Sequence, residues 1–123
     1  MKSRIIKKNA DKEFYTDERC FIIEALNSPD EDIMSIAQAR VEPGIATARH
    51  YLDSTDERYL IVAGKGKMEI GKEAPVAVGS GDVVLIPAGT PQRIANIGDG
   101  DLIFFCICTP GFTRECYHSL DSA

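Results

Sequence analysis

Glycine is placed unevenly along this chain: none of the ten occurs before Gly44, nine fall between Gly44 and Gly100, and the last is Gly111. Glycine takes positive φ without steric cost, so this middle stretch must reverse direction often and tightly. Between the turns lie short runs rich in β-branched and aromatic residues, at 35–42, 46–52, 57–63, 67–70, 75–78, 82–86, 92–96 and 102–109. Eight short strands at near-even spacing predict an all-β sandwich or barrel. Several runs alternate as a strand with one buried face requires: Tyr59, Ile61 and Ala63 oppose Arg58, Leu60 and Val62.

The flanks extend this core. Residues 21–26 are an apolar run that reads as a further strand, followed by the breaker cluster Asn27-Ser28-Pro29-Asp30-Glu31-Asp32. The tail from Pro110 carries Phe112, Cys116, Tyr117 and Leu120, a pattern expected to pack as a short helix or cap. No linker composition divides the 123 residues, which predicts one domain over 1–123 with its core at about 35–109.

Charge and cysteine usage narrow the function classes. The formal net charge is -5, from 14 basic and 19 acidic residues with no Lys/Arg block, so no nucleic-acid or anionic-membrane footprint is present. The apolar run 102–108 is seven residues, too short to span a membrane, and the basic start lacks the apolar core of a secretory signal. A cytoplasmic location is expected, with Cys20, Cys106, Cys108 and Cys116 as reduced thiols. With only His50 and His118 in the chain, no single-chain site can use three imidazoles.

The turns frame a specific pattern. Glu42-Pro43-Gly44 suits a type II turn; Gly64-Lys65-Gly66 reads as a hairpin turn; Gly79-Ser80-Gly81 and Pro87-Ala88-Gly89 are further tight turns. The spacing of Gly44, His50, Glu57 and Gly64, followed by that of Gly81, Pro87, Gly89 and Asn96, resembles the two motifs of the cupin superfamily. The resemblance implies a jelly-roll double-stranded β-helix enclosing a small-ligand cavity. It also implies a homodimer in which an N-terminal strand, here 21–26, crosses to the neighbour's sheet.

At the family's metal-ligand positions this chain keeps His50 and Glu57 but carries Leu52 and Gln92 where two further histidines are expected. The resemblance implies a divalent metal ion (Mn, Fe, Ni or Zn) held by His50, Glu57 and Gln92. Such a set of one imidazole, one carboxylate and one amide oxygen binds far more weakly than three imidazoles and a carboxylate.

Each residue has a plainer reading as well. His50 is a metal ligand or a neutral, hydrogen-bonded core residue. Glu57 on an inward face needs a metal, a cation or donors; its plainer partners are Arg49, Arg58 or Arg93. Gln92 lines the site or hydrogen-bonds Glu57. Tyr59 shares the face of Glu57, as a catalytic partner that orients substrate or as strand packing. Cys106 and Cys108 supplement His50 or act as small apolar filler; His118 sits in the tail, expected to be exposed.

Two functions follow. One is a metal-dependent isomerase, lyase or related enzyme acting on a sugar or organic acid, with Glu57 and Tyr59 as the catalytic pair. The other is a metal-free binding module for a sugar or metabolite, which the apolar Leu52 favours.

Overall fold

The computed structural model describes residues 1–28 and 33–121, so most of the expected breaker cluster lies outside the described residues. The chain forms β1 (Phe14–Tyr15), β2 (Phe21–Leu26), β3 (Ser35–Val41), β4 (His50–Leu52) and β5 (Asp56–Ala63), then β6 (Lys65–Ile70) and β7 (Val76–Gly79). These are followed by β8 (Val83–Ile86), β9 (Gln92–Asn96), β10 (Leu102–Thr109) and β11 (Tyr117–Ser119). One sheet has the order β1-β2-β3-β10-β5-β8 and the other β11-β4-β9-β6-β7. All pairings between these strands are antiparallel, as expected for an all-β jelly roll.

From β3 onward, consecutive strands change sheets at every step except the β6–β7 hairpin. The glycines therefore mark corners between sheets more than hairpins. Gly64, expected in a hairpin, instead joins β5 of one sheet to β6 of the other through a single residue at φ +87°. A β-carbon there would stand 2.5 Å from the Asp101 carbonyl oxygen, so both the dihedral and the contact require glycine. Gly44, at φ +78°, closes the expected turn, with Ile45 N–H donating to the Glu42 carbonyl at 3.2 Å.

The sheets close on a shared apolar layer. Val41, Tyr59, Ile61, Val84, Ile86, Leu102 and Phe104 from one sheet meet Met68 and Ile94 from the other. Asn96, the last residue of the second motif, ties this end together: its amide nitrogen donates to Val41 O and Gly100 O, and its oxygen accepts from Gly98 N–H.

Three local expectations change. The strand expected over 46–52 is an isolated bridge at Ala46 followed by β4 alone, because the intervening residues bond sideways to Ile94 O and Glu18 O. The tail adds a 3-10 turn, Arg114–Cys116, and then a strand, β11, that pairs with β4. Its His118 is half-buried and stacks on Tyr51 at 4.9 Å between ring centroids. Finally, β2, expected to cross to a neighbour, pairs with β3 of its own chain and extends that sheet.

Gly64→Ala is expected to lower the unfolding free energy by about 3 kcal/mol through positive-φ strain and the clash with Asp101, read from urea denaturation. A loss below about 1 kcal/mol would show that the corner tolerates a β-carbon.

Candidate functional site

Period-two alternation brings Glu57 and Tyr59 of β5 to the inner face, where β10 contributes Phe104, Cys106 and Cys108 beside them. These side chains line a cavity of about 130 Å³. Its open side is marked by the exposed Phe14, Glu24 and Asn27. The tip of the β1–β2 hairpin folds across it: Ala48 N–H donates to Glu18 O at 3.1 Å, which sets the Glu18 carboxylate 3.8 Å from His50 Nδ1.

His50 is 3% exposed, and its Nδ1–H donates to Ala48 O at 2.8 Å. That bond selects the tautomer with a bare Nε2 acceptor. Burial lowers the imidazole pKa, so the ring is neutral, and the 3.8 Å approach of Glu18 is not an ion pair. Tyr117 of β11 stacks on the same ring, centroids 4.9 Å apart. Leu52, at the family's second imidazole position, packs with Cys108, Cys116 and Tyr117 where the tail docks. That position serves the core under the tail.

Tyr59 O–H donates to Gln92 Oε1 at 2.5 Å. Gln92, 1% exposed, lies behind the cavity wall, with its Nε2 lacking a hydrogen-bond partner. Glu57, 7% exposed, accepts at Oε2 from Cys108 Sγ at 3.5 Å, while its Oε1 also lacks a partner. Burial raises the Glu57 pKa; Gln92 and His50 offset part of the rise, although no hydrogen bond of ordinary geometry joins Gln92 to the carboxylate. The arginines considered as partners are engaged elsewhere: Arg93 with Glu69, Arg58 with Thr109 and Arg49 with Gly71 O.

The expected residues therefore converge, but with altered roles. His50, Glu57 and Tyr59 line the cavity, and Gln92 supports them from behind. As a metal centre the set falls short. The Gln92 oxygen is committed to Tyr59, and burial holds the Cys106 and Cys108 thiols far above their usual pKa, as thiols rather than thiolates. Among the described residues no group of three His, Cys, Asp or Glu is placed to hold a metal ion. Of the expected set two donors remain, His50 Nε2 and Glu57 Oε1, one fewer than catalytic zinc sites ordinarily use. The residues present do not fit a tightly held transition metal.

Sequence reasoning missed the contribution of Thr16, Glu18, Cys20 and Thr47 to this cavity. The even-numbered series Phe14, Thr16, Glu18, Cys20, Ile22 and Glu24 lines it throughout, a period-two signal interrupted by the turn at 16–20.

Comparison with known proteins agrees with this architecture. Residues 37–108 match the family described as Cupin domain. An uncharacterised protein of Methanocaldococcus jannaschii is 36% identical over 81 residues, 66% of this chain and 64% of the length of that protein. The chain thus matches a little under two thirds of that relative. An uncharacterised conserved protein from Klebsiella pneumoniae with a double-stranded β-helix domain gives a TM-score of 0.78 at 16% identity, covering 98% of this chain and 100% of that one. The Streptomyces nucleoside dehydratase Pac13 gives 0.77 at 14% identity over 95% and 92% of the two chains. At such identities the likeness carries the fold alone.

Burial pushes the Glu18 carboxyl from 4.5 up to about 7, and that of Glu57 in the same direction. A carboxyl with a raised folded-state pKa holds its proton more tightly when folded. Its contribution to stability is fully present below the unfolded value and is lost as pH rises through the folded one. Unfolding free energy from urea titration is therefore expected to fall between pH 5 and 8, and Glu18→Gln and Glu57→Gln to flatten that fall. A quarter of the Glu18 side chain is exposed, which reduces its share. Profiles unchanged in both variants would overturn the assignment.

Proposed function

The chain belongs to the cupin family, and on that premise we propose that its barrel binds a small molecule through hydrogen bonds and proton placement, without a tightly held metal. One observation carries the reading: Glu57 Oε1, on the cavity wall, is buried with no hydrogen-bond partner. A buried polar atom left unpaired costs about 1–3 kcal/mol, a cost that a bound ligand would remove. Gln92 Nε2, which also lacks a partner, lies behind it.

In this reading three groups meet the ligand. Glu57, its pKa raised by burial, stands as donor or acid; His50 Nε2, neutral and bare, stands as acceptor or base; Tyr59 lines the cavity beside them with its O–H held on Gln92. An acid and a base on one cavity are what proton transfer in isomerisation or elimination requires. The same groups serve plain binding if no bond of the ligand is activated.

A second reading, a divalent ion on His50 and Glu57 with water completing its shell, has one observation in its favour. The His50 Nδ1–H is anchored to a backbone carbonyl, the outer-shell arrangement that orients metal-binding imidazoles. Elemental analysis of protein purified without chelator separates the two. Less than about 0.1 metal per chain, with no change of melting temperature in EDTA, is expected. A thermal-shift screen of small metabolites with EDTA present is expected to find a stabilising ligand. Stoichiometric metal that is lost in His50→Ala would replace the metal-free reading.

For the assembly we propose a homodimer through β8. This strand ends its sheet, and Val83 and Leu85 face outward beside Leu60 and Val62 of β5, Leu85 being 65% exposed. A two-fold related copy of the same strand supplies both an apolar cover and partners for the free backbone edge. Sedimentation is expected to show a dimer that Leu85→Glu dissociates; a monomeric parent at micromolar concentration would overturn it.

A further inference from the structure

The charge around the cavity is one-sided. Among the described residues its wall carries three carboxyl groups, Glu18, Glu24 and Glu57, and no lysine or arginine. His50, the basic side chain among the lining residues, has its Nδ1–H committed to the Ala48 carbonyl. The rings of Phe14, Tyr59, Phe104 and Phe112 line the same cavity. Carboxylates and ring faces that converge without a cation attract positive charge and repel negative charge.

Resting on the metal-free binding reading above, we propose that the ligand is a small primary ammonium ion with an apolar body. Its N–H groups reach the unpartnered Glu57 Oε1, its charge supplies the counter-charge that no arginine provides, and its carbon chain fills against the phenylalanines. The volume sets the size. A cavity of about 150 Å³ is known to hold benzene, so about 130 Å³ admits roughly five or six heavy atoms, the size of a four- or five-carbon amine.

The ammonium and the Glu57 carboxylate then form a neutral ion pair within the wall. An organic acid, one of the ligand classes implied by the family resemblance, would instead bring its carboxylate beside Glu18, Glu24 and Glu57 with no cation to receive it.

Three probes with one carbon body and different heads test the assignment: n-butylammonium, n-butanol and n-butyrate. Each is titrated calorimetrically into the full chain at pH 7.5 with EDTA present. Butylammonium is expected to bind at least about tenfold more tightly than butanol, and butyrate not to bind. Glu57→Gln is expected to lose that tenfold while keeping its affinity for butanol. Should that variant fail to fold, Glu18→Gln reads the same loss at smaller size. Butyrate binding as tightly as butylammonium, or butanol matching it, overturns the ammonium assignment. If none of the three binds while the metabolite screen finds another ligand, the ammonium assignment falls and the binding function stands. If the screen also finds none, both fall.

Discussion

Two sheets can share one apolar layer only if the chain keeps passing from one to the other, and in this protein it does so at almost every corner. Gly64 makes such a passage with a single residue, its backbone pressed against Asp101. Asn96 secures another by bonding to Val41 and Gly100 at once. With the corners held, Ile61, Leu102 and Phe104 face Met68 and Ile94, and burial of that layer supplies the main driving force for closure. The position of every side chain in the cavity follows from it.

Closure also creates the conflict on which the site is built. The alternation that buries Tyr59 and Ile61 carries Glu57 inward with them, into surroundings where its carboxyl is only partly satisfied. The nearby arginines are spent on Glu69, Thr109 and a backbone carbonyl. What remains near Glu57 is a neutral imidazole, an amide turned toward Tyr59 and two protonated thiols. A buried acid without a counter-charge suits a cavity whose partner arrives from outside.

Much of the fold was legible because its signals are local. Strands at 21–26, 92–96 and 102–109 stand where alternation and turn residues put them, and the glycine, proline and asparagine framework locates the corners. Less of the site was legible. Glu18 reaches His50 because a hairpin tip some thirty residues away bonds Ala48, and Tyr117 covers the same ring because the tail becomes a strand on β4. Neither contact has a short-range signature. The tail looked like a cap because a strand of three residues is set by the edge it meets rather than by its own propensity.

By itself the sequence determined the all-β class, the turn positions, the family and the inward placement of His50, Glu57 and Tyr59, since each depends on residue type and period over a few positions. Only the tertiary structure decided what those residues can do. The Gln92 oxygen faces Tyr59 instead of the cavity, Leu52 belongs to the packing under the tail, and Glu57 is left with a bare oxygen. Donor availability, charge balance and desolvation depend on neighbours brought together from distant parts of the chain, and no spacing along it encodes them.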